Sequence, residues 1–267
     1  MTAVLLVVAL ILGAIALLWW SQERILFQPP RFYGHPAESG CVHYQASDGQ
    51  RLKGFVIGDP RTAPGTLLCF HGNADLAILQ LDWARSVERR TGSAVMLGEY
   101  RGYMSLGGKP TYSTTGLDAQ AAYDYLRAVF DIRDERLAFF GHSLGSAVAA
   151  ELALVHRPRA LLLQSPFTSA RAMARVIVVP PVSLVWRAIS RIHFDTARVV
   201  SALDIPVSVA HGKRDRIVPF KMGIAVYNAS KRKGALLVVE NAGHSDVAEV
   251  AGEEYWTWIS TALRSPA

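Results

Sequence analysis

The sequence predicts an α/β fold: a mostly parallel eight-stranded sheet with helices on both faces and a short helical cap. Three observations predict it. From about residue 40 onward, apolar β-type runs alternate with helix-period segments, and that alternation builds a parallel sheet through crossover connections. Several later runs, such as Leu161-Leu162-Leu163 and Leu236-Leu237-Val238-Val239, are continuously apolar, as strands covered on both faces are. Of the 267 residues, 51% are hydrophobic and 19% are charged, which fills a core and excludes global disorder.

The first element lies before the alternation. Ala3 to Trp20 carries neither charge nor proline; a helix of that length rises about 27 Å, close to the thickness of a bilayer's hydrocarbon. Trp19 and Trp20 close it, where belt residues meet the headgroups, and Ser21-Gln22-Glu23-Arg24 restores polarity. A cleaved signal peptide is the competing reading. Ala14-Ile15-Ala16 resembles a cleavage triplet, but no Lys or Arg precedes the run and two tryptophans follow it. The uncleaved anchor is favoured. The chain then divides into a single-pass transmembrane anchor, residues 1–24, and a domain, residues 25–267. Arg24 and Arg31 favour a cytoplasmic domain and a very short N-terminal tail favours the opposite side, so both orientations stay open.

Strands are expected at 42–46, 52–57, 66–70, 94–99, 136–140, 160–164, 207–210 and 235–239, and helices at 76–90, 115–129, 144–156, 220–229 and 246–263. Ser47-Asp48-Gly49-Gln50 makes the first two strands a hairpin. Residues 169–204 are too long for one crossover helix, and Val179-Pro180-Pro181-Val182 should break them into two helical pieces. This insertion is the cap, placed to cover a ligand site at the sheet's C-terminal edge. Its Arg171/Arg175 and Arg187/Arg191 read as i,i+4 pairs, suited either to an anionic membrane surface or to ordinary cap packing.

The sharpest chemical signal is Gly141-His142-Ser143-Leu144-Gly145, between an expected strand and an expected helix. A tight turn there needs glycine at both flanks and exposes the serine hydroxyl at the positive end of the following helix. Ser143 is the candidate nucleophile. A serine needs a base, and the base needs an acid, in the chain order serine, acid, histidine. His244, after the last strand, is the candidate base. Asp215, in the loop after 207–210, is the best candidate acid, with Asp246 and Glu240 as alternatives beside His244. Lys213, Arg214 and Arg216 read as a solvated charged loop. The oxyanion needs backbone N–H donors: Leu144 supplies one, and Asn73 or Ala74, in the loop Phe70-His71-Gly72-Asn73-Ala74-Asp75, supplies the second. His71 shapes that loop. Tyr100 to Pro110 lacks phosphate-loop spacing and reads as a loop bordering the site.

Taken together, these residues resemble the α/β-hydrolase superfamily from about residue 40 to the end. The strings Phe70-His71-Gly72-Asn73-Ala74, Tyr100-Arg101-Gly102-Tyr103 and Gly141-His142-Ser143-Leu144-Gly145 are similar to its single-pass, membrane-anchored branch. That branch includes protein depalmitoylases and lysolipid or monoglyceride lipases, and is related to serine aminopeptidase-like hydrolases. The resemblance implies Ser143 as nucleophile, Asp215 as acid and His244 as base. Met104 and Asp75 depart from it, each standing where glycine is common.

The resulting expectation is a serine hydrolase acting on carboxylic esters or thioesters of lipid or acylated substrates. A peptidase of the same fold is the alternative, but the insertion offers only Asp195 and Asp204 to hold a substrate amine. A catalytically silent scaffold ranks lower, since every triad position is filled. No metal or organic cofactor is expected. Cys41 and Cys69 lack zinc-ligand spacing and read as small buried hydrophobes. With 28 basic and 22 acidic side chains, a net +6, and no dense basic block, nucleic-acid binding is not expected. The expected partners are an acyl ester, thioester or lipid and, through residues 3–20, a membrane; oligomeric state is not specified.

Overall fold

A computed structural model describes residues 2–31, 40–177 and 180–264. After the N-terminal helix α1 (Thr2–Leu26), strands β1 (Cys41–Gln45) and β2 (Arg51–Ile57) form the expected hairpin. The chain then runs through β3 (Thr66–Phe70), α2 (Leu81–Thr91), β4 (Ala94–Gly98), α3 (Tyr112–Phe130), β5 (Leu137–His142), α4 (Leu144–Val155) and β6 (Ala160–Gln164). The insertion carries α5 (Ala170–Ile177), α6 (Pro180–Ile189) and α7 (Thr196–Ala202). The chain closes with β7 (Pro206–Gly212), α8 (Phe220–Ala229), β8 (Arg232–Val239), α9 (Val247–Ala251) and α10 (Glu253–Arg264).

The eight strands make one sheet in the order β1-β2-β4-β3-β5-β6-β7-β8. Only the β1–β2 and β2–β4 pairs are antiparallel; the others are parallel. Helices α2 and α10 pack together against one face, and α3, α4, α7 and α8 form the group on the other. Strands β3, β4, β6 and β7 are buried at every residue. The apolar run 236–239 departs from expectation: β8 is the sheet's last strand, and Leu236 is 40% exposed. Cys69 is buried in β3, but Cys41 is exposed because β1 is the opposite edge.

Three helix boundaries also differ. Thr111 closes a reciprocal cap with Thr114 and starts α3 at Tyr112. The segment at 76 opens with a 3-10 turn, Ala77–Gln80, before α2. The expected helix 246–263 is two helices, because Gly252 adopts φ 53° and ends α9 before Glu253 and Glu254 begin a new N-terminus. The expected break at Val179-Pro180 lies partly outside the described residues, but α6 begins at Pro180, where a missing N–H costs nothing. A third piece, α7, packs on α4 and α8 as the crossover between β6 and β7. Helix α6 ends at Ile189, so Arg191 lies beyond it and forms no helical pair with Arg187.

Among the described residues, α1 alone is long and apolar enough to cross a membrane. Its leucine, valine and isoleucine side chains from Val4 to Leu12 stand 47–66% exposed. Gln22 is instead completely buried, and Leu18 and Leu26 pack on the core of the domain.

On α4, Glu151 accepts a hydrogen bond from Tyr112 Oη at 3.2 Å, and burial pushes its carboxyl up to about 7. A carboxyl raised in the folded state contributes stability below its unfolded value and loses it as pH rises through the folded one. The melting temperature should therefore fall between pH 4.5 and about 7. Glu151→Gln should flatten that interval relative to wild type in a pH series of thermal scans; identical profiles would remove Glu151 as the source.

Candidate active site

The site is built on the turn from β5 into α4. Ser143 sits there with φ 52° and ψ −114°, immediately before the first residue of α4. A non-glycine residue in that region is strained by about 1–3 kcal/mol and persists only when its surroundings impose it. Here they do. The Ser143 N–H donates to Gln164 O at 2.9 Å, and Ser146 Oγ donates to Gly141 O and Gln164 O at 2.8 and 3.1 Å. A Cβ on Gly141 would overlap the Gly145 carbonyl, and one on Gly145 would overlap the Phe70 carbonyl. The flanking glycines are thus required by close backbone approach.

His244 and Asp215 arrive from the loops after β8 and β7. His244 Nδ1 lies 2.7 Å from Asp215 Oδ2. The carboxylate is buried and accepts four donors: His244 and His211 Nε2 (3.0 Å) on Oδ2, and the N–H groups of Ile217 and Val218 (2.8 Å each) on Oδ1. Burial alone would raise its pKa; the hydrogen bonds from His211, His244 and Val218 outweigh that and hold Asp215 well below the usual carboxylate range. Asp246 and Glu240 are engaged elsewhere: Asp246 accepts from Gly243 N–H at 2.6 Å, and Glu240 pairs with exposed Lys213.

Sequence reasoning passed over three further contacts. His211 Nε2 faces two acceptors, Asp215 Oδ2 and Val218 O, while its buried Nδ1 has no partner among the described residues. The His244 carbonyl is tethered twice, by Ser165 Oγ at 3.1 Å and His142 Nε2 at 3.2 Å. Burial, then the charge of His244, pushes His142 down to about 4. Nothing local in the sequence signals these contacts, since the tethers span 79 and 102 residues.

The loop after β3 is organised by His71. Its Nδ1 lies 2.7 Å from Gly72 O and its Nε2 2.6 Å from Glu99 Oε1; both are acceptors, so both nitrogens donate. Burial opposes that charge, but the Glu99 carboxylate outweighs it and raises the His71 pKa. Glu99, itself buried, also accepts from the N–H groups of Ala77 and Tyr100. The ion pair fixes the loop, as expected of His71, without facing a reacting group. Asn73 Oδ1 accepts from Tyr103 Oη at 2.9 Å and from Gln28 N–H at 2.8 Å.

Two compartments meet at Ser143. A cleft of about 530 Å³ is lined by Ala74, Asp75, Gln80, Gln164, His244 and Ser245 among others. A second, apolar pocket of about 200 Å³ is lined by Leu144, Phe167, Met173, Trp186, Phe194 and the α1 residues Ile25 and Leu26. Ser143 and Asn73 line both. Neither Asp195, which caps α7, nor Asp204 lines either compartment.

No protein-family model matches the chain. Human alpha/beta hydrolase domain-containing protein 17B is 30% identical over 208 residues, covering 78% of this chain and 69% of its own. The chain belongs to the α/β-hydrolase superfamily. An uncharacterized Mycobacterium tuberculosis protein is 33% identical over 253 residues, covering 91% of this chain and 88% of its own. Among solved structures, a Pyrococcus furiosus esterase superposes with a TM-score of 0.70 at 20% identity, covering 91% of this chain and 98% of that one, a likeness of fold.

As an α/β hydrolase the chain carries its departures close to the site. Met104 adopts φ 48°, in the region glycine favours, and is nevertheless buried against the core. Asp75 reaches into the cleft, accepts from Leu76 N–H and Gln80 Nε2, and has its pKa raised by burial. Arg101 is spent on structure, bridging Asp118 and Asp48.

The turn makes a paired prediction. Gly145→Ala forces overlap worth about 1–3 kcal/mol and should lower the melting temperature by about 5 °C. Gly116→Ala, on the exposed face of α3 with nothing within 4 Å of an added Cβ, should leave it unchanged or slightly raised. Equal melting temperatures for the two variants would contradict the packing argument.

Proposed function

We propose that the chain is a membrane-anchored serine hydrolase that cleaves carboxylic esters or thioesters of lipid or acylated substrates. One observation carries this reading. Ser143 stands where an apolar pocket meets a cleft of mixed polar and apolar lining, and His244, with Nδ1 on Asp215, lines that cleft. The acyl chain fits the pocket, and the polar leaving group fits the side of Gln80, Gln164 and Ser245.

In this mechanism Ser143 Oγ attacks the acyl carbonyl while His244 Nε2 takes its proton. Asp215 accepts the Nδ1 hydrogen and stabilises the imidazolium. The N–H of Leu144, at the start of α4, and that of Asn73 or Ala74 receive the oxyanion. The tetrahedral intermediate collapses, and the leaving alcohol or thiol takes the proton back from His244. Water, activated by the same imidazole, then frees the carboxylic acid from Ser143. His142, kept neutral beside His244, adds no competing positive charge.

Residues 3–20 hold the domain at the bilayer. Arg24 lies 4.5 Å over the Trp20 ring and Arg191 4.6 Å over Trp19, a pairing of cations and indoles that suits the boundary between headgroups and hydrocarbon.

Each methylene seated in the pocket contributes about 0.8 kcal/mol, or roughly fourfold in kcat/KM. A p-nitrophenyl ester series should therefore climb with chain length from acetate until the pocket fills, while aminoacyl-p-nitroanilides are not cleaved. Asp215→Asn should lower kcat by about 10⁴. A flat series, or faster cleavage of the anilides, would contradict the assignment.

A further inference from the structure

We infer that the last turns of α1 are a working part of the substrate site, and that the chain takes acyl esters or thioesters directly from the bilayer leaflet, through a mouth between Ile25 and Ile177. The inference rests on the hydrolase reading above and specifies its substrate as a lipid that keeps its place in the membrane.

A helix of 25 residues rises about 37 Å, longer than the roughly 30 Å of hydrocarbon. With residues 3–20 in the membrane, Gln22 to Leu26 stand at headgroup depth. A tether would need no specific contacts there, yet this segment makes several. Gln22 is a fully buried amide on a helix whose apolar side chains from Val4 to Leu12 are exposed, and both its ends are satisfied: Nε2 donates to Ile189 O at 3.1 Å and Oε1 accepts from Arg191 N–H at 2.8 Å. Burying such a group is costly without partners, so the contact selects one docked position. Glu23 reinforces it with an ion pair to Arg191 at 2.7 Å.

Docking has two consequences for the site. The Gln28 N–H, just beyond the helix, holds the Asn73 side chain in the loop that faces Ser143. Ile25 and Leu26 form a wall of the apolar pocket that reaches Ser143 and Leu144. Three pocket residues are largely exposed: Ile217 at 57%, which also lines the cleft, and, on the anchor and the cap, Ile25 at 47% and Ile177 at 70%. The last two mark an opening between the anchor and the cap. Ile25 lies about 8 Å along the helix from Trp20, so an acyl chain entering there keeps its carbonyl near headgroup depth and need not cross water.

The test uses full-length protein in phosphatidylcholine nanodiscs with Ser143→Ala, so that no turnover is required. A palmitate analogue carrying a terminal diazirine is photolysed and the labelled residues are mapped by mass spectrometry. Labelling of Ile25 or Leu26 together with Met173 or Trp186, competed by excess palmitate, is the expected result. Adding Leu26→Trp should cut the competable label at least fivefold. Gln22→Leu, which keeps the anchor apolar but removes the docking bonds, should do the same, since about 1 kcal/mol of lost hydrogen bonding is about fivefold in occupancy. Label confined to lipid-facing positions 4–17, or undiminished label in both variants, would overturn the inference. If ester turnover fails while this pattern holds, the hydrolase reading falls and the acyl site stands.

Discussion

Ser143 holds a left-handed backbone angle without a glycine to relieve it, and much of the molecule is arranged to impose that angle. The hydrogen bonds from the Ser143 N–H and the Ser146 hydroxyl join the turn to β6. The two flanking glycines let β3, β5 and α4 come together closely enough that a methyl group would not fit. Strain of about 1–3 kcal/mol at one residue is affordable only on a rigid platform. The fully buried central strands, with α4 buried at nearly every position, supply it.

Charge is arranged as strictly as backbone. Four histidines crowd the sheet's edge, and their surroundings separate them. His71 pairs with Glu99 and carries the charge that holds a loop. His142 is pushed down to about 4. The hydrogen bond from His211 helps hold Asp215 well below the usual carboxylate range. His244 alone combines a carboxylate partner with a place in the cleft beside Ser143. A cluster of unmodified imidazoles would repel on protonation; here burial lowers His142, and the other three rings each meet a carboxylate.

Much of this was legible in the sequence because it is written in short-range pattern. The Gly141 to Gly145 string has its strand before it and its helix after it, and the alternation of apolar runs matches the eight strands. The misreadings have physical causes. Leu236 to Val239 is apolar on an edge strand: α10 packs on it, with the Trp258 indole N–H donating to Ala235 O, and α8 touches it, yet Leu236 stays largely exposed. Helix α1 continues past its polar residues to Leu26, since Gln22 finds partners in the cap linker 167 and 169 residues away. Contacts at such separations leave no local trace. For the same reason the supports of the site, Glu99, His211, Ser165 and the Gln28 amide, were invisible beforehand, whereas Ser143, Asp215 and His244 stood out by motif and chain order.

The central claim is that Ser143 is an activated nucleophile served by His244. A fluorophosphonate probe tests it without knowledge of the substrate, because only an activated serine is phosphonylated at a useful rate. Folded wild-type protein should be labelled on the peptide containing Ser143, and the label should vanish in both Ser143→Ala and His244→Ala. Folded wild-type protein that takes no label, or label persisting in His244→Ala at the wild-type rate, would contradict the account.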